Sequence, residues 1–287
     1  MKWGDFSKLI KLRLTFLVVF SASISFLIGS KVNGEINWFN WGKLIIGGFL
    51  VTAAANCFNE IIEKDFDKLM KRTMARPIPS GHMTTGQALV LGLFMGICGT
   101  YLLGTLNFTT GYLSVFSILL YAFAYTPMKR KSPIAVFVGA IPGALPPLIG
   151  YVAAHPKIDA IALILFGIQF IWQFPHFWAI AWVLDDDYKL AGFRLLPSGK
   201  RDLTSAIVTF VFTLMLVPVS LLPYLYGFGG IYVGVVSLVV SLVFLYLALM
   251  LLRTLQIGAA KKLMYGSFIY LPVVQLMFLF DFIGKAK

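Results

Sequence analysis

Two long stretches of this chain contain no Lys, Arg, Asp or Glu: the 52 residues between Arg76 and Lys129, and the 50 between Asp202 and Arg253. A water-soluble domain cannot leave so much consecutive chain uncharged and still cover its surface. A lipid-spanning helix, by contrast, excludes charge over about 20 residues. Each stretch is too long for one crossing, and each carries turn residues near its middle, at 107–111 (NFTTG) and 223–230 (PYLYGFGG). They supply four spans. Five more uncharged runs lie at 14–30, 44 to about 60 (its helix continuing to about 69), 133–154, 160 to about 184, and 263–280. The expected fold is an all-α integral membrane protein with nine transmembrane helices in one bundle, residues 1–287 forming a single domain. Composition agrees, at 59% hydrophobic and 13% charged.

Alternating the nine spans across the membrane puts 19 of the 24 Lys and Arg residues on the side of the N-terminus and 5 on the other. Cytoplasmic loops carry such an excess, so the N-terminus is expected in the cytoplasm. The opening segment has neither a cleavage site leading to a soluble domain nor the Arg- and Ser-rich, acid-poor character of a transit peptide. It is therefore expected to be a retained first helix in a bacterial plasma membrane. The net charge of +12 is topological on this reading, and no nucleic-acid partner is expected. Cys57 and Cys98, both inside apolar runs, have no metal-ligand or disulfide spacing and are expected to pack.

Nine of the 12 acidic residues also fall on the cytoplasmic side, most of them in two clusters. In the first, Asn59, Glu63 and Asp67 stand at i, i+4 and i+8, which stacks three oxygen-bearing side chains on one helix face at the membrane boundary. Like charges at that spacing repel, although Glu60–Lys64 and Asp67–Lys71 are favourable pairs that an ordinary solvated helix end would also show. The second cluster is Asp185, Asp186 and Asp187, four spans later on the same side. Each is followed by an R-x-x-P-S-G segment, Arg76 to Gly81 and Arg194 to Gly199, which suggests an internal repeat with acidic motifs at 59–67 and 185–187 facing a shared site.

Carboxylates beside Lys and Arg suit Mg2+ with a diphosphate: the metal takes a few carboxylates plus phosphate oxygens, and the cations take the remaining phosphate charge. Candidate basic contacts are Lys71, Arg72, Arg76, Lys129 and Arg194. Arg130 and Lys131 are equally well explained by positive-inside bias. Residue chemistry alone leaves calcium or a transported cation open. A boundary site beneath an aromatic-rich bundle points to an amphiphile with a charged head and an apolar tail.

These residues resemble the UbiA-type membrane prenyltransferases. The resemblance rests on NEIIEKDFDKLMKRT (59–73) with Arg76-Pro77, YTPMKRKSP (125–133), GAIPGALPPLIG (139–150), WQFPHFW (172–178), DDY (186–188), Ala191-Gly192 and Pro197. It is strongest toward the branch that farnesylates protoheme. It implies a nine-helix bundle and transfer of a farnesyl group from farnesyl diphosphate to a vinyl of protoheme IX, with Mg2+ held by two Asp-rich motifs. A UbiA-type enzyme with an aromatic or quinone-precursor acceptor is one alternative, and a cation or lipid transporter using the acidic repeats as its binding site is another. Carried over by resemblance, Asn59, Glu63, Asp67, Asp186 and Asp187 hold metal and diphosphate, with Asp67 and Asp187 catalytic. Tyr125 and Lys129 match the family's Y-x-x-x-K diphosphate contact. The chain departs from the general pattern in having Glu at 60 and 63 and Asp at 185. A handover partner such as heme A synthase or a terminal oxidase assembly factor is a further implication, and membrane lipid is the surrounding.

The chemistry so implied develops positive charge on an allylic carbon. Aromatic faces can stabilise it, and Trp172 and Phe177 are candidates alongside Phe174 and Trp178. His176 is an ionisable group inside a span and hence a functional candidate, either as axial ligand to haem iron or as the group that orients acceptor or water. An unbroken helix would put it on nearly the same face as Asp187, roughly 16 Å away. The Gly- and Pro-rich segment 139–150 is expected to allow close helix approach or a broken, cavity-lining helix.

Overall fold

The computed structural model describes residues 3–284; Lys2, Lys285 and Lys287, counted above, lie outside them. Among the described residues nine helices are long and apolar enough to span a membrane, as expected. A short helix α1 (Trp3–Leu9) precedes α2 (Leu12–Asn33), α3 (Trp38–Asp67) and α4 (Thr85–Gly104). The fourth span combines α5 (Phe108–Leu119), a π-helical stretch at Leu120–Tyr125 and α6 (Thr126–Met128). Then follow α7 (Ala135–Ala154), α8 (Ala160–Val183), the short α9 (Asp185–Leu190), α10 (Leu203–Leu225), α11 (Ile231–Thr254) and α12 (Ile257–Phe280).

Local sequence explains most boundaries. Asn37, Asn107, Asp159 and Asp202 each cap a helix by accepting a backbone N–H of its first turn, and Thr84 forms a reciprocal capping box with Gln87. The π stretch has its cause in Pro127, whose ring would clash with the carbonyl four residues back in a regular helix. The widened turn lets Thr126 N–H reach the Tyr121 carbonyl instead, and the Thr126 hydroxyl donates to the same oxygen at 2.9 Å.

Two apolar cores share the bundle, one built largely from α2, α3, α4 and α7, the other from α8, α10, α11 and α12. Where the halves meet, a buried polar knot ties four helices together. Ser21 donates to Gln169 Oε1 at 2.7 Å, Gln275 donates to both, and Gln169 donates to the Gly143 carbonyl at 2.7 Å. In lipid such bonds hold helices together because no water competes for the groups. The segment 139–150 is an unbroken helix despite Pro142, Pro146 and Pro147, so of the two expectations close approach is the one realised. A Cβ at Gly150 would run into the carbonyl of Ala22 on α2.

Candidate active site

The last turns of α3 carry Asn59, Glu60, Glu63 and Asp67, all buried, with Asn59, Glu60 and Asp67 at 0% exposure. Burying acids here requires partners, because an unpaired carboxylate away from water is strongly disfavoured. Each has one. Lys129 Nζ lies 2.7 Å from Glu63 Oε1, and Arg76 Nη1 lies 2.6 Å from Asp67 Oδ2. Asn59 accepts from Lys11 Nζ at 2.5 Å and donates to Thr126 Oγ1 at 3.0 Å. Glu60 accepts the backbone N–H of Ile78 at 3.2 Å, so it pins the returning loop. The stack of Asn59, Glu63 and Asp67 is thus interleaved with three cations drawn from three separate segments.

The environment tunes those cations. Burial works to lower Arg76 and Lys129, but the adjoining carboxylates of Asp67 and Glu63 outweigh it and hold both above their ordinary values. Lys11 is moved the other way, to about 7, first by burial and then by repulsion from Arg76 and Lys129. Lys129 also sits 4.7 Å above the Tyr125 ring, and that ring occupies the space a side chain at Gly139 would need.

The second acidic motif is divided. Asp185 is buried and ion-paired to Lys189 at 2.6 Å, with Arg201 Nε at 3.8 Å. Asp186 points outward to Arg201 Nη1 at 3.0 Å with its side chain 78% exposed, away from the α3 stack it was expected to join. Asp187 reaches the first motif: it accepts the backbone N–H of Lys71 at 2.8 Å and that of Arg72 at 3.4 Å. Lys71 and Arg72 themselves have exposed side chains, Arg72 lying 5.9 Å from the Tyr188 ring. Arg194 is exposed too, and its backbone N–H donates to the Lys129 carbonyl at 3.2 Å. The two R-x-x-P-S-G segments make the same turn. Gly81 and Gly199 both adopt positive φ, 78° and 80°, and each donates to the carbonyl three residues earlier.

An unbroken helix from His176 to Asp187 does not form: α8 ends at Val183, close to the expected end of the span, and α9 begins at Asp185, with Leu184 off helical geometry. His176 lies deeper, on α8, stacked on Trp172 with centroids 4.4 Å apart and flanked by Phe177 at 5.5 Å. Trp172 donates to the Ser267 carbonyl at 3.0 Å, and His176 Nδ1 is 2.7 Å from Ser267 Oγ. These residues form a group of their own, not in hydrogen-bond contact with the acid stack.

Sequence reading missed Lys11, Thr126 and Arg201. Lys11 looked like one more cytoplasmic charge; only its left-handed backbone (φ 49°) at the α1–α2 junction turns it onto Asn59. Among the described residues no three His, Cys, Asp or Glu side chains gather as a ready-made metal cage. The arrangement offers instead a few oxygen donors interleaved with cations. A metal–diphosphate pair can take over both sets, the metal replacing the cations at the carboxylates and the phosphates replacing the carboxylates at the cations.

A model of the UbiA prenyltransferase family matches residues 18–272, and the chain belongs to that family. Among its curated relatives, the protoheme IX farnesyltransferase of Cytophaga hutchinsonii is 45% identical over 96% of each chain. The enzyme of the same name from Christiangramia forsetii is 40% identical over 97% of this chain and 93% of its own. In fold, the chain resembles a solved structure concerning digeranylgeranylglyceryl phosphate synthase, with a TM-score of 0.81 at 21% identity over 97% of both chains. A UbiA homologue from Archaeoglobus fulgidus bound to GPP and Mg2+ superposes with a TM-score of 0.67 at 10% identity, over 96% of this chain and 99% of its own.

Proposed function

We infer that this chain is a protoheme IX farnesyltransferase, and that its acid–cation stack is where the prenyl donor is activated. The observation that carries the chemistry is the burial of Glu63 and Asp67 against Lys129 and Arg76 at the membrane boundary, with Asp187 tethered to the Lys71 amide in the loop that leaves α3. The acceptor rests on full-length similarity to enzymes of that name.

In the reaction, the C1–O bond of farnesyl diphosphate breaks and its electron pair leaves with diphosphate. A vinyl carbon of protoheme bonds to C1, and water completes the hydroxyethylfarnesyl side chain with loss of a proton. Lys129, Arg76 and Lys11 would take the phosphate oxygens as negative charge develops on them. Tyr125 supports Lys129 from below. Trp172 and Phe177 are offered for the allylic cation through their ring faces. The residues also fit Mg2+: the donors are all oxygen, and Asp67 Oδ1 and Glu60 Oε2 are buried without a hydrogen-bond partner. Asn59, Glu63, Asp67 and Asp187 would hold the ion, with Asp186 contributing only if it released Arg201. Bound there, Mg2+ would neutralise the leaving group. The excess of Lys and Arg on this end supports a site at the cytoplasmic face of a bacterial plasma membrane.

The test is product mass after purified protein in lipid is given protoheme, farnesyl diphosphate and Mg2+, with Asp67→Asn and a metal-free sample as controls. A farnesylated, hydrated haem in the wild type alone is expected. Diphosphate release with 4-hydroxybenzoate but no haem product would keep the donor site and overturn the acceptor.

A further inference from the structure

The face of α8 turned toward α2, α7 and α12 reads Gln169, Trp172, Gln173, His176, a spacing of three, four and seven that aligns them in one stripe. Gln169 and Gln173 spend their amide hydrogens on the Gly143 and Ala140 carbonyls of α7. His176 ends the stripe, eight residues before Leu184 and so about 12 Å along the helix from the acidic end.

Hydrogen-bond accounting fixes a proton on one nitrogen of its ring. Ser267 Oγ has one hydrogen and makes two short contacts, 2.6 Å to the Met264 carbonyl and 2.7 Å to His176 Nδ1. The carbonyl can only accept, so the hydroxyl donates to it and must accept from the imidazole. Nδ1 therefore carries a proton, which in the neutral ring leaves Nε2 a bare lone pair. No hydrogen bond or ion pair engages Nε2 among the described residues. The ring is also immobilised: it stacks on Trp172 at 17°, meets Phe268 edge-on at 5.2 Å, and Trp172 is itself bonded to Ser267. A neutral, fixed imidazole whose Nδ1–H is held by a protein oxygen is the form in which histidine binds metals. His176 is buried, and Phe268 beside it is 43% exposed, so a porphyrin arriving from the lipid would meet the α8–α12 seam at Phe268.

We propose that His176 Nε2, oriented by Ser267, is an axial ligand to the iron of the porphyrin acceptor. The proposal rests on the acceptor being an iron porphyrin, as argued under Proposed function. Ligation there would hold the macrocycle against α8, below the diphosphate stack, by a contact that involves none of the acids.

The experiment is a titration of the full-length protein in lipid nanodiscs with ferric protoheme, read by Soret absorption and by resonance Raman of the reduced complex for an iron–imidazole stretch. The wild type is expected to give a histidine-ligated spectrum. His176→Ala is expected to lose it, to bind haem at least tenfold more weakly, and to regain the signature with added imidazole. His176→Met gives a second reading should the alanine variant fail to extract, with a thioether-ligated spectrum expected. Ser267→Ala should keep ligation but shift the iron–imidazole stretch and weaken binding roughly tenfold, the lower end of what loss of a metal-orienting partner costs. Asp67→Asn, which abolishes transfer, should leave the spectrum unchanged, so ligation is judged separately from turnover. Wild-type spectra and affinity in His176→Ala and His176→Met would overturn the proposal even if farnesylated haem is formed. A His176-dependent spectrum without haem product would support it while removing the proposed reaction.

Discussion

Asp187 accepts the backbone N–H of Lys71 at 2.8 Å, across 116 residues of sequence. This contact joins the two acidic motifs: a carboxylate in the first turn of α9 holds the loop that leaves α3, and the loop returns Arg76 to Asp67. The site is thus closed by a side chain gripping a main chain, so its geometry depends on backbone that the sequence of Lys71 and Arg72 does not advertise.

Replacing Asp187 by Ala should release that loop. Farnesyl transfer is expected to fall by about two to three orders of magnitude, the scale of losing one preorganised electrostatic group. Hydrogen exchange at the Lys71 and Arg72 amides should rise in the same variant, and unchanged exchange would show that the loop is held otherwise.

The Glu63–Lys129 pair is buried on both sides, at 6% and 12% exposure. Lys129→Ala leaves an uncompensated carboxylate and should destabilise the protein by about 3–5 kcal/mol. Adding Glu63→Gln should recover much of that stability without recovering activity. Thermal unfolding in detergent, run beside the transfer assay, separates the two effects.

Gly150→Ala should loosen the α2–α7 seam, because the new methyl meets the Ala22 carbonyl, a backbone atom that cannot rotate away. A loss of about 1–3 kcal/mol is expected from overpacking of this kind. An unshifted unfolding midpoint would mean the helices can part there at little cost.

Asp202 caps α10, and the backbone N–H of Ser205, then the Ser198 hydroxyl, hold its carboxyl below the ordinary carboxylate value. A depressed folded value means the carboxylate stabilises the cap above the unfolded pKa. That stabilisation is lost as pH falls through the folded value. Protection of the Ser205 and Ala206 amides, relative to the intrinsic exchange rate at each pH, should therefore fall below about pH 4, the carboxylate range. In Asp202→Ala protection should be low already at neutral pH and lack this acid dependence.

Chelation of divalent metal should abolish transfer while leaving helical circular dichroism intact, since every acid of the stack already has a protein partner without metal. Unfolding on chelation would instead assign the metal a structural part.

The span count was legible in the sequence because lipid imposes one rule on every residue of a crossing: charge is excluded, and backbone groups must pair within the helix. The first acidic motif was legible for a similar reason, since Asn59, Glu63 and Asp67 share a face of a single helix and helical period alone stacks them. What the sequence could not show is which cation each acid meets. Arg76 is 9 residues from Asp67, but Glu63 and Lys129 are 66 apart and Lys11 and Asn59 are 48 apart. Such pairings depend on how helices pack. The same holds for the second motif, where three consecutive aspartates look alike until a helix break at Leu184 sends Asp185 and Asp186 to Arg201 and Asp187 to the loop. His176 was visible as an ionisable residue in a span, but which nitrogen it leaves free was decided by Ser267, 91 residues away on another helix. Local periodicity and solvent determined the elements of this protein. Long-range contacts, each costing the entropy of bringing distant chain together, decided the site, and they exist only in the packed bundle.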